Sequence, residues 1–166
     1  MIARRFMLGW ALALPAVLYA QEPAVNVDPP NLQGSRPLES QTASAVVHAY
    51  MQAWQTLRSA FAQNQPSLLD QNFIGIAHSK LAETIAEQAK LGLETHYQDR
   101  SHDLQVIFYS PEGGSIELTD KVQYEEQVLA NGKVLGSQPV DARYLVVLTP
   151  SEGHWMVRMF QAEPAQ

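Results

Sequence analysis

The chain has 166 residues, no cysteine, and 17 acidic against 11 basic side chains, for a formal net charge of −6. That length suits one domain, and without cysteine no disulfide can staple it, so stability must come from burial. An acidic chain with scattered basic residues disfavours nucleic acid and anionic membrane as partners, because both demand clustered positive charge.

Residues 1–20, MIARRFMLGWALALPAVLYA, place Arg4 and Arg5 before an apolar run from Phe6 to Leu18 and a small residue at Ala20. This is the pattern of a secretory signal peptide. The run contains Pro15 and is short for a membrane span, which needs about 20 residues. The expectation is an exported chain, periplasmic or secreted, with no membrane attachment after cleavage and a net charge of −8 once Arg4 and Arg5 are removed. Retention of the segment as an anchor is the alternative. Residues 21–40 carry prolines at 23, 29, 30 and 37 with no hydrophobic period and read as a flexible or extended linker.

The domain is expected over residues 41–162. Val47, Tyr50, Trp54, Leu57 and Phe61 recur at steps of three and four, one face of a first helix that ends near Gln65, before Pro66. Ser67 and Asp70 offer a capping box for a short second helix. Ile74, His78, Leu81, Ile85 and Ala89 mark a third, closed by Gly92 as a C′ residue. After His96 the period becomes alternating, in DLQVIFYS, SIELTDKVQYEEQVL, VDARYLVVL and HWMVRMFQ. PEGG, the Asn131-Gly132 pair of a type I′ hairpin, and PSEG separate these stretches. The fold class is α+β, with N-terminal helices packed in a strongly curved antiparallel sheet of four or more strands, cone-shaped.

The helices VVHAYMQAWQTLRSAF and IAHSKLAETIAEQAKLG, followed by the long strand, glycine turn and tryptophan-bearing strand of ARYLVVLTPSEGHWMVRMF, resemble the nuclear transport factor 2-like superfamily. That superfamily includes ketosteroid isomerases, scytalone dehydratase, SnoaL-like cyclases and many non-catalytic domains. The resemblance covers about Gln41 to Gln161. Trp54-Gln55, with Leu57 after it, also resembles the tryptophan-bearing helix of the non-catalytic domain that ends plastid and cyanobacterial division-site proteins. The likeness implies a cone around the first helix and a capacity to form a homodimer through the exposed sheet. It carries no specific catalytic residue onto this sequence.

On the strand from Ser115, the positions Ile116, Leu118, Asp120, Val122, Tyr124, Glu126 and Val128 share one face. If that face lines a cavity, lost hydration makes Asp120 or Glu126 a general base for proton abstraction beside a carbonyl. The opposing reading has each in water at the mouth, past a bulge, or paired with a neighbour such as Arg143. His78, on the apolar stripe of the third helix, is either a catalytic partner or a hydrogen-bonded interior histidine. HYQDRSHD holds His96, Asp99, His102 and Asp103, metal-ligand types with no matching spacing, and reads as a solvated connection between helix and sheet. No metal and no cofactor is expected. His154 sits after Gly153 in an exposed turn. No nucleophile elbow, phosphate loop or cysteine nucleophile is present.

Tyr50, Trp54, Tyr124 and Tyr144 either surround a small apolar ligand or fill the core. The first function reading is an exported non-catalytic domain binding a small apolar ligand or a protein partner through its cone or sheet face. The second is an enzyme with Asp120 or Glu126 as base and Tyr50, Tyr124 or Tyr144 donating to a developing oxyanion. The third is a dimeric assembly module.

Overall fold

The computed structural model describes residues 22–34 and 36–163, so the signal segment expected over 1–20 lies outside the described residues. Helix α1, Ser40–Gln63, buries Val46, Tyr50, Trp54, Leu57 and Phe61 along one stripe, the spacing that puts one helix face into a core. Asn64 stops it in the left-handed conformation at φ 52°, its N–H returning to the carbonyls of Ala60 and Phe61. A 3₁₀ turn, Pro66–Gln71, follows with Pro66 in its first turn. The capping box expected there does not form. Asp70 instead pairs with His78, whose Nε2 lies 2.7 Å from Asp70 Oδ1. Helix α2, Gly75–Lys90, buries Ala77 and Ile85 and ends before Gly92 at φ +68°. The stripe turns toward Gln88 rather than the exposed Ala89, because the Gln88 amide reaches Phe61 O at 2.7 Å and Asn64 Oδ1 at 2.6 Å and ties α2 to the end of α1.

Five strands form one sheet in the order β1-β2-β3-β4-β5: β1 Ala24–Val27, β2 Leu93–Tyr109, β3 Ile116–Ala130, β4 Lys133–Ser151 and β5 His154–Ala162. Strands β2 to β5 are antiparallel neighbours. Asn131 and Gly132, at φ 50° and 72°, make the β3–β4 turn, as the type I′ geometry requires. Register shifts fall at Asp99/Ser101, Val106/Phe108, Val128/Leu129 and Val147/Leu148. Each such bulge bends its strand and raises the local twist, so these long strands wrap α1 instead of lying flat. The inner face of the sheet, including Leu104, Leu118, Val122, Val146 and Leu148, closes the core against α1. Among the described residues no helix is long and apolar enough to cross a membrane.

Residues expected as a free linker are docked. Strand β1 runs parallel to β2, with Ala24 opposite Ser101 and Val27 opposite Leu104. Beyond it, the amides of Asp28, Asn31 and Gln33 donate to the carbonyls of Leu104, Val106 and Ile107 at 2.8, 2.9 and 2.9 Å. All four β1 side chains are exposed, so the pairing is made by the backbone and leaves no hydrophobic period to read. Arg36 then lies over the Tyr109 ring at 4.5 Å, a cation–π contact. Hydrogen exchange checks this directly: the amides of Asp28, Asn31 and Gln33 are expected to exchange more than about tenfold slower than in a free chain. Free-chain rates at all three would show the segment detached.

Candidate functional site

Helix α1 spaces Tyr50, Trp54 and Arg58 one turn apart, aiming three polar tips at the sheet from a stripe that is otherwise apolar. Facing them, β3 presents Asp120, wholly buried between Leu118 and Val122. β2 presents Asp99 and His102, which three-residue spacing would send to opposite faces of a regular strand. The bulge prevents this. Asp99 pairs with Tyr124 and Ser101 with Gln123, so Arg100 is the extra residue and His102 comes to lie opposite Val122, on the same inner face as Asp99.

The five polar groups form a chain. The Tyr50 hydroxyl donates to Asp120 Oδ2 at 2.6 Å, and His102 Nδ1 lies 2.7 Å from the same oxygen. His102 Nε2 faces Asp99 Oδ2 at 3.9 Å, and Arg58 Nη1 donates to that Asp99 oxygen at 2.5 Å. Burial alone would lower the His102 pKa, but the hydrogen bond to Asp120 and the carboxylate of Asp99 outweigh it and hold the imidazole at about 9, protonated at neutral pH. Burial would likewise raise Asp99, yet His102, the nearby Trp54 indole and Arg58 keep it below the ordinary carboxylate range. Tyr50 is pushed well up, first by burial and then by the charge of Asp120, and stays a hydroxyl donor.

Aromatic rings seal this chain. Trp54 packs edge-on against His102 at 5.0 Å and meets Tyr124, Tyr144 and Phe160 at 5.9, 5.9 and 6.0 Å. Tyr144 stacks on Phe160 at 4.4 Å, and the Tyr124 and Tyr144 hydroxyls approach to 3.3 Å. Tyr50, Trp54, Tyr124 and Tyr144, the candidate ligand-binding set, thus fill the funnel as mutual packing partners.

The other expectations divide. Glu126 is half-buried and accepts from the Gln138 side-chain amide at 3.0 Å. Six residues of strand put it about 20 Å from Asp120, so the two carboxylates form no acid/base pair. His78 is not an interior histidine but a half-exposed surface partner of Asp70, remote from Asp120 in the hydrogen-bond chain. Arg143 pairs with Glu163 at 2.7 Å and with neither carboxylate. His154 is exposed. HYQDRSHD is no solvated connection: it lies within β2, and Asp99 and His102 are its buried members. Among the described residues no group of three His, Asp or Glu side chains is placed to hold a metal ion. Sequence reasoning missed Arg58, Asp99 and His102. Their signal was conditional, since Tyr97, Asp99, His102 and Leu104 share a face only if one residue is inserted at Arg100.

Open space lies outside the cone. A groove of about 930 Å³ lies at the edge of β2 that β1 leaves unpaired, with Gln55 and Arg58 on the helix, Gln98, Asp99 and Arg100 on β2, Glu125 and Gln127 on the outer face of β3 and Glu22 to Ala24 as its far wall. Asp99 Oδ1 and Arg58 Nε are buried there without hydrogen-bond partners.

The sign of the pH dependence follows from the charge chain. Because the folded-state pKa of His102 stands above its ordinary 6.5, its contribution to stability is complete below pH 6.5 and is lost as pH rises to about 9. The low Asp99 pKa acts oppositely, its contribution being lost as pH falls through the acid range. Urea denaturation across pH 6.5 to 9 is expected to show a loss of roughly 2–3 kcal/mol, and His102→Gln should abolish that slope. An equal decline in the variant would place the titrating group elsewhere.

No protein-family model and no curated protein matches this sequence. Among solved structures the chain is similar to the intermembrane space region of the chloroplast protein ARC6, with a TM-score of 0.62 and 15% identity over 78% of this chain and 100% of that one. It is similar to a protein assigned as a scytalone dehydratase from Novosphingobium aromaticivorans, at TM-score 0.50 and 11% identity over 77% and 94% of the two chains. Aln2 from a Streptomyces species matches at TM-score 0.50 and 12% identity over 77% and 93%. Identities this low speak for fold alone. Helices first, then an open curved sheet wrapped on α1, together with these likenesses, identify the nuclear transport factor 2-like cone fold in this chain.

Proposed function

We propose that this is an exported, non-catalytic binding domain whose ligand or partner docks on the polar rim formed by α1 and the sheet, outside the cone. The observation that carries the reading is the plug: Trp54, Tyr124, Tyr144 and Phe160 occupy the space where an apolar ligand would sit, while a groove of about 930 Å³ stands open beside Arg58 and Asp99. A groove of that size is within the range of ligand sites.

A second reading, proton abstraction by Asp120, is favoured by its burial beside a hydroxyl and an imidazolium. It fails on access. Asp120 and His102 have no exposed surface, and a substrate would have to displace Trp54 to meet either. Their mutual hydrogen bond pairs the carboxylate with a cation through Oδ2, where Tyr50 also donates, so Asp120 is not the free base that such chemistry needs.

Two measurements test the proposal. With p-benzoylphenylalanine in place of Gln55 or Ser59 in the native cell, covalent adducts are expected. The same group in place of Lys121, on the outer sheet face, should give none. Adducts confined to position 121 would favour assembly through the sheet and overturn the reading. Anilinonaphthalenesulfonate should not bind the native protein, and a saturable single site with quenched tryptophan fluorescence would move the ligand into the cone.

A further inference from the structure

We infer that the groove receives an extended peptide strand of a partner protein, which adds to the free edge of β2 with uncharged residues toward α1 and basic residues away from it. This rests on the reading that the binding face is the rim between α1 and the sheet. β1 begins at Ala24, opposite Ser101, and Pro23 before it has no N–H with which to continue the pairing. From Glu94 to Arg100, about 20 Å of strand, β2 is therefore paired with β3 alone among the described residues. Every second residue of such an edge turns an N–H and a C=O away from the sheet, the groups that a further strand would pair with.

The remaining edges are covered or blocked. Beyond Arg100, β1 and the amides of Asp28, Asn31 and Gln33 occupy β2 as far as Ile107. On β5, Val157 exchanges backbone hydrogen bonds with Asn72 and Ile74 at 2.8 and 2.9 Å. On β4, Lys133 to Pro139 lie outside the pairing with β5, which starts at Tyr144, but this stretch holds Lys133, Gly136 and Pro139, residues that discourage strand addition. Glu94 to Arg100 contains neither glycine nor proline. Two hollows run beside it, about 460 Å³ at His96 and Tyr97 and about 930 Å³ at Gln98 to Arg100. Gln55 and Arg58 of α1 border both, so helix and strand edge form the two sides of one slot, the geometry in which a peptide gains main-chain pairing and side-chain contacts together.

Charge sets the chemistry of the occupant. Side chains of an added strand alternate between the two faces of the sheet. Those turned inward meet Gln55, Ser59, Ala62 and Gln63 of α1, an uncharged wall, since Arg58 is already paired with Asp99. Those turned outward lie beside Glu94, His96, Gln98 and Arg100. Arg100 is paired with Glu125 at 2.8 Å, while Glu94 has only His96 at 3.6 Å and Glu22 stands at the end of the groove. The outer side is thus net negative on a chain of net charge −6, which favours basic side chains there.

The test uses the mature chain and an acetylated, amidated heptapeptide of alternating threonine and lysine, followed by amide hydrogen exchange. About every second amide from Glu94 to Arg100 is expected to exchange freely in the chain alone and more than about tenfold slower with peptide. N-methylation of alternate peptide residues should weaken binding more than about tenfold in one phase and not in the other, a signature of strand pairing. The threonine–glutamate counterpart should bind more weakly, and Glu94→Lys should lower affinity for the lysine peptide about threefold at low salt. No protection with any peptide overturns the inference. Amides already slow without peptide also overturn it: slowing that grows with protein concentration assigns the edge to a second copy, and slowing independent of concentration assigns it to the chain's own residues. Should the edge stay free while adducts still form at positions 55 and 59, the rim reading stands and only the strand falls.

Discussion

The structure depends on a buried line of alternating charge. Arg58, Asp99, His102 and Asp120 follow one another as plus, minus, plus, minus across three elements, with Tyr50 capping the end. Each ion out of water costs several kcal/mol, and that cost is offset only where every charge meets an opposite neighbour. Removing one member strands the next, at a cost of about 3–5 kcal/mol. The apolar stripe of α1 would tolerate slippage, because hydrophobic contacts are not directional. The polar chain does not. Tyr50 and Arg58 are eight residues apart, about 12 Å along the helix axis, so their separate partners, Asp120 and Asp99, pin the helix at two points in rotation and in height.

That line exists only because β2 bulges. Without the extra residue at Arg100, His102 would turn to the outer face and Asp120 would be left with Tyr50 alone. This explains how much was legible beforehand. The inner face of β3 was readable as a regular alternation, and Ile116, Leu118, Asp120, Val122 and Tyr124 are all buried. The stripe of α1 and the Asn131-Gly132 turn were readable because propensity and tertiary structure agree there. HYQDRSHD was opaque because its face assignment depends on a register shift, which is set by the partner strand and not by local pattern. β1 was opaque for another reason: it pairs through backbone alone, under prolines that usually mark a linker.

The same network accounts for the filled cone. A carboxylate, an imidazolium and a second carboxylate close together attract water unless something excludes it, and exclusion strengthens each pairing. Trp54 lies edge-on to His102 and is enclosed by Tyr124, Tyr144 and Phe160. These rings therefore serve the charge chain as insulation. The rings fill the inside of the cone around Trp54, and the polar chain reaches the surface only at its Arg58 end, Asp99 behind it being buried.

The N-terminal segment is tied to the same bulge. Strand β1 covers part of the outer edge of β2, a row of backbone groups that would otherwise invite pairing with another chain. Glu22, Pro23 and Ala24, at the start of the same segment, form the far wall of the groove. Edge protection and groove shape are therefore one property of one stretch. The pairing of Ala24 with Ser101 sets that wall one residue beyond Arg100, so the bulge that turns His102 inward also fixes where the groove begins.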